Sequence, residues 1–209
     1  MGPQPSNIVV AKAVLPADGW ADAVNTSNPI KGTIVRCNDG QWLRGKENAP
    51  INGTQWLALS TRSCWTRWQG NRPERYLFQE PGRDLPERDE LGDLDQDKWE
   101  AGPGGGEKRD PWQRCAFLYL ANEATAELLT FSTSTFGGRG AIRDLAEQIG
   151  LMRGAHPRAV PIVELVNRPV STRYGRKVWP HMKVVGWRNL EPTNGHPAIA
   201  PPAADECPE

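Results

Sequence analysis

The chain has 209 residues, 25 Lys and Arg balanced by 25 Asp and Glu, and a 38% apolar content. That composition is of a soluble protein, and no stretch approaches the roughly 18 consecutive apolar residues that a membrane helix needs. The N-terminal MGPQPSN carries no apolar signal core, so a cytoplasmic protein with one ordinary domain and disordered ends is expected.

Residues 1–28 read as a loose leader whose weak apolar patch, Ile8 to Leu15, has the length of a strand. The domain is expected over residues 29–190. Its first element is a hairpin from Ile30 to Trp42, because Asn38-Asp39-Gly40 between strand-like runs is a strong turn signal. Two further strands are predicted, Thr54 to Ser60 after Asn52-Gly53 and Arg62 to Gln69. Short strands about ten residues apart, punctuated by Asn and Gly, point to a β-barrel or sandwich.

Composition then changes. Residues 80–110 hold eleven carboxylates, Pro81, Pro86, Pro103 and Gly104-Gly105-Gly106, and are expected to form a long, solvated acidic loop. Asp93, Asp95 and Asp97 alternate, yet a calcium loop's central Gly and terminal Glu are missing, so no metal is expected there. Beyond it the sequence predicts strands at 116–120 and 128–135. A loop containing Gly137, Gly138 and Gly140 follows, then a helix over 141–149 with Ile142, Leu145 and Ile149 on one face and Gly150 as its stop. Residues 151–190 are basic, with strands predicted at 162–166 and 178–187 and a connection rich in arginine between them. The tail, residues 191–209, is too rich in Pro and Ala to bury anything and reads as disordered.

Cys37, Cys64, Cys115 and Cys207 are widely spaced, as are His156, His181 and His196. Zinc sites use close ligand pairs, so free buried thiols, no metal and no cofactor are expected. The Gly137–Gly140 loop opening a helix suits an anion, and Arg139 with the loop amides is a candidate phosphate contact. A tight strand-to-helix turn is the other reading of the same glycines. Ser132 to Thr135 lack a histidine neighbour and a G-x-S-x-G elbow, and no catalytic constellation stands out, so a binding role is expected in preference to catalysis.

Nine tryptophans are many for this length. Trp65 and Trp68 have opposite strand parity, so one of them is expected to face outward among Arg62, Arg67 and Arg72. Aromatics interleaved with arginines suit single strands, rings stacking on bases and guanidinium groups holding phosphates; cation–π and cross-strand packing account for the same pattern. The 167–177 connection adds Arg168, Arg173, Tyr174, Arg176 and Lys177, with Lys183 beyond it. The candidate nucleic-acid contacts are therefore Arg62, Trp65, Arg67, Trp68, Arg139, Arg168, Arg173, Tyr174, Arg176, Lys177 and Lys183.

Gly53-Thr54, Glu90-Leu91-Gly92-Asp93, Trp99, Asp110-Pro111-Trp112-Gln113, Thr130 to Ser134 with Gly137-Gly138, and Lys183-Val184-Val185-Gly186-Trp187 together resemble a family of uncharacterised bacteriophage and prophage proteins. The resemblance spans roughly residues 30–190. It implies a phage or mobile-element context in a bacterial cytoplasm and carries no activity with it. The combined reading is a mostly-β, OB-like five-stranded Greek-key barrel with one α-helix and a long acidic loop. By analogy of fold, its expected role is a single-stranded DNA-binding or recombination and replication accessory protein. Single-stranded DNA is the expected partner, with a phage or host replication or recombination protein as a second. Asp205, Glu206 and Glu209 after the Pro/Ala linker are similar to the partner-recruiting acidic tails of such proteins. The alternative is a protein-interaction module, such as an inhibitor of a host enzyme, that uses the acidic loop as its contact surface.

Overall fold

Asp39 and Gly40 both have positive φ, 46° and 79°, which is what a two-residue hairpin turn matched to strand twist demands. They join β1 (Thr33–Asn38) to β2 (Gln41–Arg44), and a short β3 (Ala49–Pro50) continues the meander. The structure is a computed structural model and describes residues 28–101, 106–173 and 175–189. The Ile8 to Leu15 patch, Tyr174, the 191–209 tail and all of the expected leader except Asn28 lie outside those residues.

The two strands expected at 54–60 and 62–69 are one, β4 (Gln55–Gln69), fifteen residues long. Its register shifts between Ala58 and Ser60, a bulge at Leu59. A bulge adds one residue without breaking pairing, and so exchanges the two faces of the strand beyond it. Trp56 and Ala58 join the main core, and past the bulge that face is taken over by Thr61, Ser63, Trp65 and Arg67. β5 (Arg72–Phe78), which the sequence reading did not separate, turns back along the C-terminal half of β4.

After the segment between β5 and β6, the hairpin of β6 (Trp112–Ala121) and β7 (Leu128–Thr133) forms as expected, with β6 starting four residues before the predicted Ala116. α1 (Phe136–Met152) begins five residues before the predicted Ala141, so the glycines lie inside its first turns. Thr135 caps it by accepting from the Gly138 amide at 3.1 Å. β8 (Ala159–Thr172) and β9 (Gly175–Asn189) form one long hairpin. The expected 167–177 connection is its far half: Arg168 stands opposite Trp179 and Val170 opposite Lys177, both inside the ladder.

All nine strands among the described residues belong to one sheet, where a barrel of five was expected, in the order β3-β2-β1-β7-β6-β4-β8-β9 with β5 beside β4. β1 and β7 are parallel; the other pairs are antiparallel. The sheet curls into a half-barrel until its two sides meet. Trp42 on β2, fully buried, donates its indole N–H to the Val166 carbonyl on β8 at 2.8 Å. Inside the curl, Leu118, Leu120, Leu129, Phe131 and Leu165 pack on Ala141, Ile142 and Leu145 of α1. The opposite face of β4–β6 carries a smaller cluster of Cys64, Cys115, Phe117 and Tyr119, flanked by Tyr76 and Phe78 of β5. No helix among the described residues is long and apolar enough to cross a membrane.

Candidate arginine-lined cleft

The exchange of faces at Leu59 puts Trp65 opposite Arg114 and Ser63 opposite Ala116, on the side of the sheet that α1 covers. Gly137 and Gly138 let the first turn of the helix sit close to the sheet. A Cβ on Gly137 would come within 2.9 Å of the Trp179 ring, and one on Gly138 within 2.2 Å of the Thr133 hydroxyl. Both glycines serve this close packing, with side chains filling the space beside them, and the Gly138 amide is taken by the Thr135 hydroxyl. What the close approach does produce is a cleft between β4–β6 and the helix.

Two adjoining hollows of about 430 and 450 Å3 share Arg114 and Arg139. Arg109, Gln113, Trp65 and Ser134 complete one of them. Arg143, Phe136, Thr61, Ser63 and Gln79 are among the residues lining the other. Four arginines thus face a cleft that no carboxylate lines. Among the described residues no ion pair engages Arg109, Arg114 or Arg139, whereas Arg143 has weak contacts to Asp144 (3.5 Å) and Glu147 (3.6 Å). Burial, and then the charge of Arg114, hold the Arg139 guanidinium below its usual range. Its Nε is buried and has no hydrogen-bond partner among the described residues. Like charges gathered without a counter-ion raise the local positive potential, and an anion entering the cleft relieves both the repulsion and the missing hydrogen bonds.

The expected site residues fall in several places. Arg139 and Trp65 reach the cleft, and the Trp65 indole donates to the Pro86 carbonyl at 2.9 Å. Arg168 lies beside α1 through a 2.8 Å ion pair to Asp144. Arg62 is on the opposite face, its guanidinium 3.6 Å above the Phe78 ring, because the bulge turned it there. Arg67 is consumed by ion pairs to Asp93 (2.8 Å) and Glu74. Trp68 is half-buried in a different hollow, of about 500 Å3, together with Trp99. Of the two indoles at 65 and 68, then, neither stands fully outward. Arg173, Arg176 and Lys177 are exposed at the far end of the β8–β9 hairpin, and Lys183 pairs in register with Glu164.

Arg109, Arg114, Arg143 and Phe136 were missed. Arg139 and Arg143 are four apart, the spacing of one helix face, and that signal was available. Arg109 sits at the edge of the acidic stretch, where it reads as one of its counter-ions, and Arg114 lies just beyond it with no local signal of its own.

The 79–111 segment is tied to the sheet by its own charges and by indoles. It contains 3-10 turns at Arg88–Leu91 and Gln96–Lys98. Asp93 accepts from Arg67 and, at 2.9 Å, from the Trp112 indole; these bonds hold its carboxyl below the usual range. Arg88 grips Asp110 with two bonds of 2.6 and 2.7 Å, and the Trp99 indole donates to the Asp93 carbonyl at 2.7 Å.

No known protein family matches this chain, and neither the curated proteins nor the solved structures compared with it give a match.

Proposed function

We propose that the protein binds single-stranded DNA, with the sugar–phosphate backbone lying in the cleft of Arg109, Arg114, Arg139 and Arg143. The observation that carries this reading is the gathering of those arginines along two adjoining hollows that share Arg114 and Arg139 and that no carboxylate lines. Guanidinium groups bind phosphate oxygens through paired N–H donors and stay charged at every physiological pH. The sheet positions Arg114 and the capped helix positions Arg139 and Arg143 before the ligand arrives. A half-barrel with a single helix is in keeping with an OB-like Greek-key barrel, a scaffold that offers such grooves. The role that goes with this reading is a phage-encoded replication or recombination accessory protein in a bacterial cytoplasm, a context that rests on the sequence resemblance alone.

The test is fluorescence anisotropy of labelled oligo-dT against salt. Each phosphate contact contributes a log–log slope of about −0.7. Replacing Arg114 and Arg139 together by Gln should flatten the slope by about 1.4 and weaken binding. Absence of binding by the wild type at low salt would overturn the reading and favour a protein partner at residues 80–110.

A further inference from the structure

Resting on the single-strand reading above, we infer that Phe136 is the platform on which a base of the bound strand stacks, so that the site requires an unpaired nucleotide. Phe136 is 73% exposed, and in the set of exposed large apolar residues, which otherwise holds only Leu and Val, it is the one aromatic among the described residues. It lines the same hollow as Arg114, Arg139 and Arg143. Its position is fixed from three sides. The cap at Thr135 sets the first turn of the helix, Gly137 behind it lies against Trp179, and the Trp179 ring meets the Phe136 ring edge-on at 5.8 Å and 69°. An aromatic held in place and left open to solvent beside a row of phosphate-binding groups matches the two halves of a nucleotide: a flat apolar base and an anionic backbone. Every base has a π-face, so such a platform binds single strands with little regard to sequence. A duplex keeps its bases stacked on one another and offers the ring nothing.

The experiment compares wild type, Phe136→Ala and Phe136→Trp for binding to oligo-dT and to an abasic oligomer of equal length, which keeps the phosphates and lacks the bases. Stacking on one base is worth about 1–3 kcal/mol, so Phe136→Ala should weaken oligo-dT binding about 5- to 150-fold. Its salt slope and its affinity for the abasic oligomer should equal those of the wild type, and Phe136→Trp should bind oligo-dT at least as well as the wild type. A 2-aminopurine strand should lose fluorescence on binding the wild type and keep it with Phe136→Ala. Oligo-dT binding by Phe136→Ala equal to that of the wild type, or equal losses for oligo-dT and the abasic oligomer, would overturn the platform while leaving the arginine cleft standing. A wild type that binds neither oligomer would overturn both readings.

Discussion

Arg114 and Arg139 come from different elements, β6 and α1, and face the same cleft, where burial and then the charge of Arg114 lower the pKa of Arg139. A protein that kept such a pair only for stability would be expected to place a carboxylate beside it. Groups held against their own repulsion are characteristic of binding sites, which trade stability for function.

The first prediction follows from that pair. Arg114→Gln should stabilise the free protein, by about 0.5 kcal/mol at low ionic strength, because it removes a repulsion at an exposed position. The gain should shrink in high salt and be accompanied by weaker oligonucleotide binding. Urea denaturation of the two proteins measures it; a clear loss of stability would mean that Arg114 has a structural partner.

The second concerns Asp93. The Arg67 guanidinium, followed by the Trp112 indole, depresses its pKa, so the folded carboxyl stays ionised at a pH where the unfolded one is protonated. The sign follows: this contribution is present above the unfolded pKa of about 3.9 and is lost as pH falls through the lower folded value. Asp93→Asn should therefore cost about 1 kcal/mol at neutral pH, modest because the side chain is 36% exposed, and should show less loss of stability on acidification. Denaturation midpoints from pH 7 downward would decide it.

The third prediction separates glycines that pack closely from one that does not. Gly138→Ala sets a methyl against the Thr133 hydroxyl and Gly137→Ala sets one against the Trp179 ring, so each should destabilise by about 1–3 kcal/mol. Gly150, in the last turn of α1, has nothing within 4 Å of its missing Cβ. Gly150→Ala should stabilise by roughly 0.5–1 kcal/mol through helix propensity. Thermal melts of the three variants suffice.

The fourth concerns Cys64, which is free and fully buried and whose thiol burial pushes up to about 11. A raised folded pKa means stability that is complete below the unfolded thiol's value of about 8.5 and is lost as pH rises toward about 11. Alkaline titration of stability should show that decline, and Cys64→Ala should blunt it. Peptide mapping after a thiol reagent should find Cys64 and its cross-strand neighbour Cys115 unlabelled in the folded protein and labelled once it is denatured.

Much of the fold was legible. The Asp39-Gly40 turn, the β6–β7 hairpin and the apolar face of α1 declare themselves because turn chemistry and side-chain period act between residues close in sequence. The start of the helix was misplaced because glycine is a poor helix former, and local propensity takes three glycines for a loop. Here Trp179 and Thr133, from β9 and β7, occupy the space that larger residues at 137 and 138 would need, and tertiary packing overrides propensity. The described residues of the 80–110 stretch are mostly exposed, and how the stretch is anchored was not legible, because neither Arg67 nor Trp112 as a partner of Asp93 can be guessed from spacing.

By itself, the sequence determined a β-rich protein rich in arginine and tryptophan, residue types that can pair with anions and stack on flat rings. Which arginines from different elements face one cleft was decided by the tertiary structure. One bulge at Leu59 turned Arg62 onto the far face and Trp65 into the cleft, although both lie on one continuous strand. Arg114 and Arg139 are brought together only when α1 docks on the sheet. Strand parity is a local rule, but the bulge that inverts it and the packing that joins two elements depend on contacts distant in sequence, to which local patterns are blind.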